Sequence, residues 1–195
     1  VLDGAAGPTP QKAMRLLVDL GHVAGAERLI PISSAHVAGV SPLTGGDGLR
    51  RFLADLSAAG AASVAVPTTL NSAGCDKQRF DAMGITVEGF LEAQFEIIQA
   101  YSALGIEATL SCTPYDSNTP LPQGVAAWAE SNAIAYANSF TDLITNRESG
   151  LSALASAITG LTPRWGLHIA SNRAPNLRIR VTCDLPESTD WSVLG

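Results

Sequence analysis

The stretch EGFLEAQFEIIQAYSALGIEATLSCTPY, residues 88–115, decides the fold class. Phe90, Leu91, Phe95, Ile98 and Tyr101 recur at the spacing of one helix face, which predicts a helix over 88–104. Gly105 supplies a stop. Residues 106–112 then read as a strand, ending in Ser111, Cys112 and Thr113, and Pro114 with the turn-rich residues 116–122 halts regular structure. A thiol at such a strand end, opening into a loop, is exposed and usable. Helix, strand and polar strand end in one short unit point to an alternating α/β architecture.

The same unit recurs towards the N-terminus. Thr9 and Pro10 suit a helix start, and Ala13, Leu16, Leu17 and Leu20 share a face before Gly21 and Gly25. Residues 28–32 read as a short strand, placed at an edge or an end by Pro31, and run into Ser33, Ser34 and His36. Leu49, Phe52, Leu53 and Leu56 predict a helix over 49–58. The preceding Gly45, Gly46, Asp47 and Gly48 lack both the G-K-[ST] and the G-x-G-x-x-G patterns and are read as a helix-start turn. Residues 63–66 read as a buried strand leading to Thr68 and Asn71. Three such alternations predict a single α/β domain over 1–195, a three-layer α/β/α arrangement with a mainly parallel sheet. Carboxyl ends of strands in such sheets face one crevice. The sets Ser33/Ser34/His36, Thr68/Asn71 and Cys112/Thr113/Tyr115 are therefore expected to converge there.

Downstream, residues 128–139 read as a helix carrying Glu130, Ser131, Asn132, Tyr136, Asn138 and Ser139 among alanines. A surface helix would carry Lys and Glu; amides and hydroxyls suit a cleft wall, where each group needs a partner. The pattern also fits a packed helix with its few polar groups satisfied. Residues 145–150 read as a polar turn, in which Arg147 either forks onto a carboxylate or phosphate or pairs with Glu148. Small residues over 152–159 continue as a helix ended by Gly160. Residues 165–168 read as a loop or short strand with His168 as a buried structural imidazole, and 177–182 as a half-exposed strand. Cys75 is read as an incidental thiol.

Composition narrows the function classes. A net charge of −6 leaves no basic face for nucleic acid. No apolar run reaches membrane-helix length and no signal peptide is visible, so no membrane association is expected. Three widely spaced cysteines form neither a disulfide framework nor a zinc motif, which makes a reduced, cytoplasmic setting the default. With 46% hydrophobic and only 15% charged residues, the chain is expected to bury surface against another domain. The start at Val1 and the end at Gly195 read as cuts, so a fragment of a larger protein, truncated on its C-terminal side, is expected.

Seven motifs carry a resemblance. GPTPQKAM (7–14), AERLIPISSAH (26–36), SCTPY (111–115), AWAESN (127–132), YANS (136–139), TNRE (145–148) and SAL with the later TG (152–160) resemble, in order and to about residue 173, the large-subunit region of aconitase X. The resemblance implies an aconitase-like domain of an iron–sulfur hydro-lyase, a dehydratase acting on a small hydroxy acid. Two activities go with the family: dehydration of cis-3-hydroxy-L-proline and of 5-phosphomevalonate. TNRE is slightly more like the archaeal phosphomevalonate group. Carried over residue by residue, Cys112 matches the metal-binding cysteine. Ser33, Ser34, His36 and Glu130 match the catalytic lining, and Thr68, Asn71, Thr113, Ser131, Asn132, Asn138, Asn146 and Arg147 the substrate-binding lining. The implied cofactor is an iron–sulfur cluster or iron whose remaining ligands lie outside this chain. The implied partner is a small subunit or swivelling domain that brings a catalytic serine. One thiolate does not hold a cluster, so the isolated chain is expected to be inactive. Two other readings stay open: a non-catalytic subunit or fragment that binds a partner chain, and an anion-binding α/β module without iron.

Overall fold

A computed structural model describes residues 1–58, 63–116 and 121–186. Its centre is a four-stranded parallel sheet built from short strands. In chain order the elements are α1 (Pro8–Val23), β1 (Leu29–Pro31), β2 (Ser34–Val37), α2 (Pro42–Ala58), β3 (Thr68–Leu70), α3 (Phe90–Ala103), β4 (Gly124–Trp128), α4 (Ser131–Phe140), β5 (Leu143–Arg147), α5 (Gly150–Thr159) and β6 (Leu161–Pro163). The sheet order is β3-β2-β4-β5, and β1 pairs with β6 in a separate antiparallel ribbon.

Strand side chains alternate between two faces. One face of the sheet carries Ala35, Val37, Leu70 and Ala127. Against it pack α5 and, through a shared core, α1, α2 and α3, with Leu17, Leu53, Ile97, Tyr101 and Leu154 buried together. The other face carries Ala126, Trp128 and Leu143, covered by Ala133, Ile134 and Ala137 of α4. Helices thus lie on both faces, as the alternation predicts. Each fully buried Leu or Ile here contributes about 2 kcal/mol of transfer free energy.

Helix α5 is held close to the sheet. Ser149 and Ser152 form a capping box at its start: the Ser152 amide donates to Ser149 Oγ (3.0 Å) and the Ser149 amide to Ser152 Oγ (2.8 Å). A side chain at Gly150 would place Cβ 2.1 Å from the Ala38 carbonyl oxygen, so only glycine lets the helix approach the end of β2. Helix α2 is broken at Gly46, whose φ of 53° belongs to the left-handed region.

The strand positions differ from the expectation, and the reasons are physical. The stretches read as polar strand ends, around Ser34–His36 and Thr68, are the strands themselves. Ser34 and His36 pair across the sheet with Trp128 and Thr69, and the Thr68 hydroxyl is taken by the Val66 carbonyl, so these polar groups tolerate burial. The strand read at 28–32 becomes β1 but leaves the main sheet for the ribbon with β6. Residues 63–66 form no strand, since the Val64 and Ala65 amides donate instead to the carbonyls of Leu104 and Ala157. Of the strand read at 106–112, one parallel bridge remains, Thr69 to Glu107. The helix read over 128–139 starts only at Ser131, because Trp128 ends β4. Residues 145–147, read as a turn, complete β5. Residues 177–182 form no strand and are mostly exposed, while 166–168 form a short 3-10 turn. Among the described residues no helix is long and apolar enough to cross a membrane.

Candidate active site

Parallel sheets are usually apolar on both faces. Here the face of β2 and β3 opposite α5 carries Ser34, His36 and Thr69, which breaks that rule. Above it lies a cavity of about 270 Å³ lined by Ser34, Thr68, Thr69, Glu107, Pro114 and Trp128, among others. Trp128 Nε1 donates to Ser34 Oγ at 3.1 Å. His36 Nδ1 and Thr69 Oγ1 are hydrogen-bonded at 2.8 Å, and the imidazole meets Trp128 edge to face. His36 is fully buried, and its Nε2 has no hydrogen-bond partner among the described residues. Burial holds its pKa down at about 4, so the ring is neutral near pH 7.

The strand ends bring a second set together. Asn71 follows β3, and its backbone amide donates to the Val37 carbonyl at 2.8 Å. Its side-chain amide donates to the Glu130 carboxylate, while its Oδ1 accepts the Ser72 amide at 2.6 Å. Glu130 follows β4 and stands at the N-cap of α4, where the helix field favours a negative charge. In the first turn of that helix, Asn132 Nδ2 donates to the Cys112 carbonyl at 3.0 Å. The Cys112 loop is therefore pinned beside Glu130, and its thiol is exposed and free. Leu110, at φ 50°, turns the chain into this loop. Thr113 bonds Ser111 within the same loop, Oγ1 to Oγ at 3.0 Å. Ser131 is exposed at the start of α4, and Arg147 is exposed at the end of β5, opposite Trp128 in register.

Four of the expected site residues are used elsewhere. Ser33 lies ahead of β2, with its hydroxyl on the Val125 carbonyl at 3.1 Å. Thr68 starts β3, and its hydroxyl goes to the Val66 carbonyl at 2.8 Å, although it borders the cavity. Asn138 ties α4 to β5, donating to the carbonyls of Ile134 (2.9 Å) and Thr145 (2.8 Å) and accepting the Thr145 amide (3.2 Å). Asn146 clamps the 165–168 turn through the Trp165 carbonyl (3.1 Å), the Leu167 amide (2.6 Å) and His168 Nδ1 (3.1 Å). Their neutral hydrogen-bonding chemistry is spent on the backbone. His168 is the buried imidazole expected of it, lowered in pKa mainly by burial.

Three residues escaped the sequence reading. Thr69 pairs with His36, and the alternation of polar residues across Ser34, His36 and Thr69 was the available signal. Trp128 was taken as a helix residue. Pairing with Glu148 is one of the two sequence readings of Arg147, but Arg147 is exposed while Glu148 is buried. The Glu148 carboxyl is 5% exposed, Oε1 has no hydrogen-bond partner among the described residues, and burial raises its pKa against the opposing Ser152 and Thr162 hydroxyls.

Among the described residues no three His, Cys, Asp or Glu side chains gather to hold a metal ion. An exposed thiol on a loop tied to the first turn of α4 fits one corner of the implied iron centre, with the other ligands supplied from outside these residues.

The family model described as "Aconitase X first domain" matches residues 1–171. The phosphomevalonate dehydratase large subunit of Methanothermobacter thermautotrophicus is 48% identical over 194 residues, covering 99% of this chain and 48% of that protein. The cis-3-hydroxy-L-proline dehydratase of Pseudomonas aeruginosa is 33% identical over 185 residues, covering 93% and 31%. The crystal structure of Thermococcus kodakaraensis aconitase X in its holo-form superposes with a TM-score of 0.85 at 45% identity, covering all of this chain and 48% of that one. The chain spans about half the length of the dehydratase large subunits it matches. With the family model matching residues 1–171 and the fold superposing over the whole chain, the chain belongs to the aconitase X family.

Proposed function

We propose that this chain is the first-domain portion of a hydro-lyase that removes water from a small hydroxy acid, of the phosphomevalonate dehydratase type. The observation that carries the reading is the 48% identity to a phosphomevalonate dehydratase large subunit, against 33% to a cis-3-hydroxy-L-proline dehydratase. In this reading Cys112 holds one corner of an iron–sulfur cluster or iron. When bound there, that centre would supply Lewis acidity for loss of the hydroxyl group. Glu130 fixes the Asn71 amide, which presents its remaining hydrogen-bonding capacity to substrate. The free guanidinium of Arg147 forks onto the anionic end of the substrate. Neutral His36, buried behind the cavity over β2 and β3, holds the Thr69 hydroxyl in place at the cavity wall, where Ser34 and Trp128 also stand. The base that removes the carbon-bound proton comes from a serine of a small subunit or swivelling domain. Free thiols at Cys75, Cys112 and Cys183 suit a reduced, cytoplasmic setting.

The test uses the complete enzyme, with the remaining domain and the partner subunit present. Cys112→Ser is expected to lose iron and to reduce loss of water from 5-phosphomevalonate at least a hundredfold, with the melting temperature little changed because the thiol is exposed. Full iron content and turnover in that variant would remove the metal role.

A further inference from the structure

A second cavity, of about 430 Å³, opens beside the end of β2, between the start of α5 and the broken start of α2. Thr44, Gly45 and Gly48 reach it from α2, Ser149 and Gly150 from the start of α5, and Tyr101 from α3. Among the described residues no charged side chain lines it. We infer that this cavity is an oxyanion site, binding a phosphate or carboxylate group through the Gly150 and Leu151 amides and the Tyr101 hydroxyl. Naming that group as a second anionic end of the hydroxy-acid substrate, apart from the one at Arg147, rests on the function proposed above; the oxyanion chemistry does not.

The first support is the hydrogen-bond accounting of α5, a ten-residue helix. Its Ser152 amide is taken by Ser149 Oγ at 3.0 Å and its Ala153 amide by the Ser149 carbonyl at 2.9 Å. The Gly150 and Leu151 amides have no acceptor among the described residues. Unpaired first-turn amides, aligned with the helix dipole, attract an anion. The second support is independent. Tyr101 is 1% exposed and lines the cavity, and its hydroxyl has no hydrogen-bond partner among the described residues. Burial pushes its pKa up to about 12, so it stays a proton donor at neutral pH. A hydroxyl on a buried side chain at the cavity wall is placed to donate its proton to whatever occupies the cavity.

The glycines complete the arrangement. Gly150 brings the first turn of α5 onto the strand end, as the 2.1 Å approach to Ala38 requires. The break at Gly46 swings the start of α2 aside, and a Cβ at Gly48 would meet nothing within 4 Å. The cavity is thus kept open by missing side chains. Leu49 and Phe52 make part of the wall apolar, which strengthens the amides' attraction for a charge. The Gly45–Gly48 run that matched no phosphate-loop pattern therefore borders a candidate oxyanion pocket after all.

The test is calorimetric titration of inorganic phosphate, and separately of acetate, into the complete enzyme at constant ionic strength, with chloride as the blank. Saturable binding of either anion in the millimolar range is expected, and the tighter one tells a phosphate pocket from a carboxylate pocket. Tyr101→Phe should weaken it about tenfold, the value of one hydrogen bond to a charged group. Gly48→Leu should fill the space and remove binding, with the melting temperature reporting on the fold. Arg50→Gln should leave binding unchanged, since Arg50 is already engaged by Asp47 and Glu96. Absence of saturable binding, or binding that survives both Tyr101→Phe and Gly48→Leu, would overturn the inference. Iron content and turnover report separately on the hydro-lyase reading. Turnover without anion binding in the cavity overturns the pocket alone; anion binding with no iron and no turnover overturns the hydro-lyase alone.

Discussion

Ser34 shows how one hydroxyl sets the character of the sheet face. It accepts the Trp128 indole N–H at 3.1 Å, and both residues border the cavity over β2 and β3. Ser34→Ala would leave the indole donor buried without an acceptor. The expected cost is about 1–2 kcal/mol of unfolding free energy, read from urea denaturation. The paired change, Ser34→Ala with Trp128→Phe, removes the orphaned donor and should cost less than the sum of the two single changes. Strict additivity would show that the bond contributes nothing. The same logic separates Asn71 from Asn138. The Asn71 amide meets a carboxylate at the open strand ends, whereas both ends of the Asn138 amide are consumed by main chain.

At the scale of elements, Asn138 is a strut between α4 and β5. Its three hydrogen bonds to Ile134 and Thr145 hold the helix over the strand that follows it. Asn138→Ala is expected to destabilise by about 2–3 kcal/mol in denaturant titration, because backbone groups of both elements lose their partner. Substrate affinity in the complete enzyme should change little; a large rise in KM with unchanged stability would return Asn138 to the binding surface. Gly150→Ala makes the corresponding test for α5, where the new methyl has to displace the Ala38 carbonyl. A loss of at least about 2 kcal/mol is expected. These struts also explain what could be read beforehand. The helices were legible because amphipathic spacing survives in α1, α2 and α3. The strands were not, because segments such as Ser34–Val37 and Thr68–Leu70 are too short to show a period. Their polar residues look like loop chemistry until the partner strand is known. Asn71, Glu130 and Cys112 could be singled out beforehand because the sequence puts them near strand and loop ends, where the fold class puts ligands, and the structure places Asn71 after β3 and Glu130 after β4. Asn138 and Asn146 share their chemistry but not their position, and amide chemistry alone does not reveal which amides the backbone has claimed.

At the scale of the whole molecule, buried titratable groups on the two sides of the sheet set opposing pH responses. His36 and His168 have folded pKa values below the ordinary histidine value, both mainly through burial. The unfolded chain therefore takes up protons first as pH falls. Stability is fullest above about 6.5 and is lost on the way down to the folded value, which is about 4 for His36. For His36 alone that window corresponds to about 3 kcal/mol. Glu148 acts the other way: burial raises its folded pKa, so its contribution is fullest below the unfolded carboxylate value and is lost as pH rises through the folded one. Replacing each group isolates its limb of the curve. Glu148→Gln keeps an amide near Ser152 and Thr162 but has no charge to desolvate. Its melting temperature should exceed that of the parent at pH 8 and approach it at pH 4.5. His36→Gln should flatten the acid limb between pH 6.5 and 4.5 while leaving the alkaline limb untouched. Melting curves of parent and variants that run parallel across this range would mean that these groups titrate alike in the folded and unfolded chain, and that the two faces of the sheet are far wetter than the packing around His36 and Glu148 allows.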